Sequence, residues 1–230
     1  MRPPTRQTLT AGTVIATAAM LLAGCAARGL PVHADVEWEG TNTGPHEDDP
    51  RVKILREYVV QLNAADNALN YSDDALTSLA TEWGLESSAS NTAGSATGFW
   101  GDSVTLWEGP TSFSVVGIED LPYERAEVTV CERWAPWWSL DKRHSETSEL
   151  VDERDGMYRF EQPEFTISEY ELVKRDGRWW IDGGGHGFGG DACDPGKIAI
   201  GTYTTPPDLD LLRKATPDMV IGPDGRPADS

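Results

Sequence analysis

Basic residues are scarce in this chain: 19 lysines and arginines stand against 38 aspartates and glutamates, a formal charge of −19 over 230 residues. No Lys/Arg cluster or stripe occurs, so a phosphate backbone would meet a repelling surface, and nucleic-acid binding is excluded. Adhesion to anionic headgroups through a polybasic segment is excluded for the same reason. The acidity otherwise serves solubility. Cysteine is rare too. None of the three belongs to a Cys-x-x-Cys pair or has a histidine at ligand spacing, which removes the common zinc patterns. The one long apolar run, Leu9 to Ala23, is shorter than the roughly 20 residues that span a bilayer. The glycine-rich stretch from Gly183 to Gly190 lacks the Gly-Lys-Ser/Thr ending of a phosphate-binding loop. It has no second copy, as calcium-binding glycine repeats require.

What is present begins at the N-terminus. Arg2 and Arg6 precede the apolar run, which ends in Leu22-Ala23-Gly24-Cys25; this is the layout of a secretory signal. The last four residues resemble the lipobox of bacterial lipoproteins. The resemblance implies that residues 1–24 are a signal peptide, that the Cys25 thiol receives a diacylglyceryl group, and that cleavage makes Cys25 the first mature residue. Removing two arginines takes the formal charge to −21. Two or three acyl chains hold a protein stably where one holds it marginally, so the expected location is the extracytoplasmic face of the cell membrane. With Cys25 lipidated, Cys131 and Cys193 remain as a pair outside the reducing cytoplasm. A disulfide is the expected state, with two free buried thiols as the alternative.

Residues 25–50 carry Gly, Pro, Thr and acidic residues without apolar periodicity and read as a flexible tether. Order is expected over 51–204, with 205–230 as a C-terminal tail. Asp49-Pro50 supplies an N-cap followed by proline at the first helical position. Ile54, Leu55, Tyr58, Val59, Leu62, Ala65 and Leu69 then recur at helical spacing. A second helix is predicted from Ser72, with Ala75, Leu76, Leu79, Ala80 and Trp83 on its apolar face and Gly84 ending it. Residues 86–98 read as a loop. Beyond them the period changes to two: Ala126, Val128 and Val130 alternate with Glu127, Thr129 and Cys131. Asp176-Gly177 separates two β-prone runs as a hairpin turn does. Helices followed by an antiparallel sheet predict an α+β fold.

The last hairpin, Tyr170-Glu-Leu-Val-Lys-Arg-Asp-Gly-Arg-Trp-Trp-Ile181, following a long helix, a short helix and a meander, resembles the nuclear transport factor 2-like superfamily, including SnoaL-like proteins. The likeness covers roughly Val52 to Ile181. It implies N-terminal helices packed on one curved antiparallel sheet, a cone enclosing a pocket. Enzymes of that superfamily place an acid–base Asp or His, often with a Tyr, in the pocket. No such motif carries over here, so no catalytic, cofactor or metal residue is assigned. Asp66 follows the stripe of the first helix and reads as a solvated edge residue, Tyr58 as core, and His144 as a surface residue. His186, Asp191 and Asp194 offer a metal-site alternative to a purely conformational role for the glycine-rich segment. Trp134, Trp137 and Trp138 are the densest group of nine tryptophans. Adjacent residues of a strand point to opposite faces, so one of Trp137 and Trp138 is expected to be exposed, for contact with a glycan or protein partner. The expectation is a membrane-anchored lipoprotein binding a small apolar ligand or a protein partner without catalysis. The alternatives are a small-molecule isomerase, dehydratase or hydrolase, and an envelope-glycan binder.

Overall fold

Helix α1 (Pro50–Ala68) starts where its capping residue dictates: the Asp49 carboxylate accepts from the Arg51 N–H at 2.8 Å, and Pro50 fills the first turn. Its buried stripe includes Leu55, Tyr58, Val59 and Ala65. The computed structural model describes residues 29–98, 103–143, 148–162, 164–184 and 193–228. After a single-turn helix α2 (Asp74–Thr77), Leu79 and Thr81 exchange backbone bonds with Ile181 at 3.0 and 2.8 Å. Thr81 then caps α3 (Glu82–Ala96) by accepting from the Gly84 N–H.

The third helix corrects the sequence reading. Gly84 lies in its first turn and does not end a helix, and most of the stretch read as a loop is helical. Its buried residues Leu85, Ala89 and Ala93 recur every four positions. The small side chains that suggested a turn are what let this helix lie close to its neighbours.

The strands are β1 (Val36–Glu39), β2 (Leu106–Trp107), β3 (Ser112–Leu121), β4 (Arg125–Arg133), β5 (Trp137–Ser139), β6 (Glu149–Arg154), β7 (Met157–Glu161), β8 (Thr166–Arg175), β9 (Arg178–Gly184) and β10 (Ile200–Tyr203). They form three antiparallel sheets, β1-β10, β2-β5-β7-β6 and β3-β4-β8-β9. The expected architecture of N-terminal helices on one curved sheet is therefore overturned. Strand content dominates, and the strands divide among separate sheets, so the likeness to the nuclear transport factor 2-like fold is not sustained. Pro136 lies between β4 and β5 and has no N–H to continue a ladder. The chain leaves β4 there and starts pairing with β2 and β7 in the second sheet.

Inside the β3-β4-β8-β9 sheet, Ala126, Val128 and Val130 of β4 are fully buried, as are Leu172 of β8 and Ile181 of β9. Val128, Val130, Leu172 and Ile181 join Leu55, Val59, Leu85 and Ala89 in one core cluster. The turn between β8 and β9 has positive φ at Asp176 (52°) and Gly177 (80°), as a type I′ hairpin requires. Cys131 is bonded to Cys193, with Cα atoms 5.9 Å apart.

Two flanking stretches are more integrated than their composition suggests. The stretch read as a tether contributes β1, and the Leu30 carbonyl accepts from Asn70 Nδ2 at 2.9 Å. Within 205–230, helix α4 (Leu211–Lys214) buries Leu211 and Leu212. Ile221, also buried, exchanges backbone bonds of 2.8 Å with Leu69 and Tyr71.

Candidate functional site

One face of α1 carries Tyr58, Leu62, Asn63 and Asp66 within two and a half turns, and one face of α3 carries Ser88, Asn91 and Thr92. Together with Trp107, Thr111, Trp134, Tyr170 and Gly184 these residues line a cavity of about 330 Å³. Its size is at the small end of the range for ligand sites. A larger depression of about 490 Å³ lies elsewhere, around Glu108 and Arg159. Its charges are satisfied among themselves: Arg159 Nε and Nη2 donate to the two Glu108 oxygens at 2.7 Å each, and Arg154 pairs with Asp152.

The polar centre of the cavity is Asp66. Its Oδ1 accepts from Tyr71 Oη at 2.5 Å and its Oδ2 from Trp107 Nε1 at 2.8 Å. Tyr71 Oη is also bonded to Thr92 Oγ1 at 2.6 Å, which ties α1 to α3 through the carboxyl group. Trp107 is held by its own backbone. Asn67 Oδ1 accepts from the Trp107 N–H at 2.7 Å, and Asn67 Nδ2 donates to its carbonyl at 2.9 Å, so an α1 amide stands in for a neighbouring strand. Asn63 Oδ1 accepts from the Thr111 N–H at 2.9 Å in the same manner. Burial pushes the Asp66 carboxyl above the ordinary carboxylate range, against the opposing pull of the bonds from Tyr71, Trp107 and Asn63.

A second carboxyl lies behind the cavity wall. Glu132 is 1% exposed. It accepts from Ser168 Oγ at 2.8 Å, from Tyr170 Oη at 2.9 Å and from Trp134 Nε1 at 3.3 Å. Burial raises its pKa, partly offset by those three donors. Tyr58 and Tyr170 are likewise raised, first by burial and then by the nearby carboxyls, so both phenols stay protonated. Trp107 and Trp134 stand nearly perpendicular, 81° between planes and 6.1 Å between centroids. Trp137 packs behind both at 5.9 Å.

Gly184 closes the rim. Its φ is +107°, and a Cβ there would lie 2.3 Å from the Glu169 carbonyl oxygen, so only glycine brings β9 this close to β8.

The predicted site residues scatter. Asp66, read as a solvated edge residue, is the centre of the cavity, and Tyr58 lines it as well as the core. Trp134 is 37% exposed and forms part of the wall. Trp137 and Trp138 are 1% and 4% exposed, which corrects the expectation that one of them faces outward. Their side chains do point to opposite faces, but both faces are covered. Trp137 meets Trp107 and Phe160, and Trp138 donates to Glu108 beneath the Arg154 guanidinium. Cys25, His144, His186 and Asp191 lie outside the described residues. Asp194 accepts from the Gly196 N–H in a local turn. Among the described residues, no group of three or more His, Cys, Asp or Glu is placed to hold a metal ion. None of their helices is long and apolar enough to cross a membrane.

Glu132, Tyr71, Trp107 and Tyr170 were missed by the sequence reading. For Glu132 the signal was present: it continues the inward series Ala126, Val128, Val130 by one more step. Comparison of the chain with protein-family models, with curated proteins and with solved structures gives no match.

Proposed function

We propose that this chain is a lipid-anchored protein of the extracytoplasmic membrane face whose cavity, lined from α1, α3, β2 and the β3-β4-β8-β9 sheet, binds a small molecule. The observation that carries this reading is the convergence of Asp66, Asn63, Thr92, Tyr58 and Tyr170 on one concave volume with aromatic walls. A few placed polar groups in an otherwise apolar concavity are the usual form of a ligand site. The ligand that fits has a compact apolar body and at least one polar group, a refinement of the purely apolar molecule expected from sequence. Binding without catalysis is favoured by the state of Asp66. Both its oxygens already accept bonds from Tyr71 and Trp107, and among the described residues no histidine lines the cavity to activate Ser88 or Thr92. The burial of Trp137 and Trp138 weighs against a glycan-stacking face built on that cluster.

The test is mass spectrometry of the full-length protein purified in detergent, under native conditions and after solvent extraction. Asn91, exposed at the rim on α3, supplies the control. Asn91→Trp should leave the melting temperature within a few degrees of wild type and cut the amount of bound small molecule by about tenfold or more. Equal loading of the variant, or no loading of either protein after incubation with envelope extract, would overturn the reading.

A further inference from the structure

We infer that the cavity is built for an organic cation, an alkylated ammonium group seated among Trp107, Trp134, Tyr58 and Tyr170 with Asp66 as its counter-charge. This rests on the small-molecule reading above and names the ligand class.

Three observations carry it. The first is that no lysine, arginine or histidine is present among the described residues lining the cavity, although Asp66 faces it and Glu132 lies directly behind Tyr170 and Trp134. Among the described residues neither carboxyl has an ion-pair partner. Elsewhere several carboxyls, among them Glu47, Asp49, Glu108 and Asp152, do pair with arginine.

The second is the wall material. Four aromatic side chains line one volume of about 330 Å³, two of them tryptophans nearly at right angles. Aromatic faces attract cations through their quadrupole, most strongly for tryptophan and most of all when water is excluded. Perpendicular rings give a compact cation two contacts at once.

The third is hydrogen-bond capacity. A carboxylate has about four acceptor sites. Tyr71 and Trp107 occupy two of those on Asp66, and the Asn63 amide opposes the carboxyl as a further donor. An acceptor site remains for an ammonium N–H, and the charge itself serves a quaternary head. An anionic ligand would meet two carboxyls with no compensating cation. The chain's formal charge of −19 adds a favourable long-range field for a cation.

The experiment uses full-length protein in detergent and follows tryptophan fluorescence and calorimetric heat on titration. The probes are paired: choline against its uncharged isostere 3,3-dimethylbutan-1-ol, and benzyltrimethylammonium against neopentyl alcohol as a neutral apolar control. The expected result is about tenfold or greater preference for choline over its isostere. Asp66→Asn keeps the shape and the capacity to accept from Tyr71, and it should abolish most of that preference. Trp134→Leu, at a partly exposed wall position, should weaken both cations several-fold and the alcohols little. Equal binding of choline and its isostere overturns the inference, as does failure of both cations to bind, or an unchanged preference in Asp66→Asn. If the alcohols bind wild type as tightly as the cations do, and Asn91→Trp binds neither, the cavity reading stands while the cation falls. If the mass-spectrometric test also finds no ligand, both fall.

Discussion

Replacing Glu132 by glutamine should make this protein more stable than wild type at neutral and alkaline pH, and no more stable at acidic pH. Glu132 accepts three hydrogen bonds and, among the described residues, has no ion-pair partner, and burial raises its pKa above the ordinary 4.5. A carboxyl raised in the folded state stabilises fully below its unfolded value, and that contribution is lost as pH rises through the folded value. Between the two, the folded protein keeps a proton that the unfolded chain releases, so wild type loses about 1.4 kcal/mol per pH unit through this group. Glutamine does not titrate. Its carbonyl can take the bonds from Ser168 and Trp134, and its amide faces Tyr170, whose hydroxyl turns to accept. The low-pH difference should therefore stay within about 1 kcal/mol. Glu132→Leu, by contrast, strands two buried hydroxyls and should cost about 2–6 kcal/mol at acidic pH, a cost that shrinks as pH rises because leucine does not titrate either. Urea denaturation followed by tryptophan fluorescence, from about pH 4 to about pH 9, measures all three proteins. Asp66 titrates with the same sign in wild type and in the glutamine variant, so the difference isolates Glu132. A difference that is flat with pH, or one in which wild type gains on the variant as pH rises, would refute the argument.

Breaking the Cys131–Cys193 bond, which closes a separation of 62 residues, should cost about 4 kcal/mol on the chain-entropy account. Cys193→Ser measures the loss in urea, and a non-reduced digest should give both cysteines in one cross-linked peptide; alkylation of both without reduction would remove the bond. Trp137→Ala and Trp138→Ala should each lose about 3–5 kcal/mol and melt roughly 6–20 °C lower. Trp83→Ala, at a 65% exposed position, should stay within about 1 kcal/mol of wild type. An unchanged melting point in either buried variant would place that ring outside the core. Cys25→Ser should abolish incorporation of labelled fatty acid and release the protein from the membrane; label in the serine variant would end the anchor proposal.

Local chemistry was legible in the sequence where one residue decides one backbone feature. Asp49 and Pro50 mark the helix start, and Asp176-Gly177 marks the hairpin. Both act within a few residues of themselves. What could not be read was which strand meets which. The pairing of β1 with β10 joins Val36 to Tyr203, and no periodicity in a four-residue strand specifies a partner so distant. The division into three sheets is of the same kind, since alternation reports which face is buried and not which strand lies alongside. Helix α3 failed for a different reason: alanine, serine and threonine suit a turn as well as a closely packed helix, and tertiary contact made the choice. Asp66 failed because the neighbours that enclose it come from Tyr71, Thr92 and Trp107, three separate segments that only the fold assembles.

Asn70 fastens the backbone at Leu30 to the end of α1. Leu30 is five residue steps from Cys25, a reach of about 17 Å at full extension. With acyl chains on Cys25 as proposed, this is a moored body and not one swinging on a 25-residue line. The corner where Leu30, Pro31 and Asn67 meet the Pro206–Asp208 segment would ride against the headgroups, with that orientation imposed by leash length alone. Lateral diffusion in the bilayer, and not a search through the surrounding space, would then set how the protein meets anything it serves.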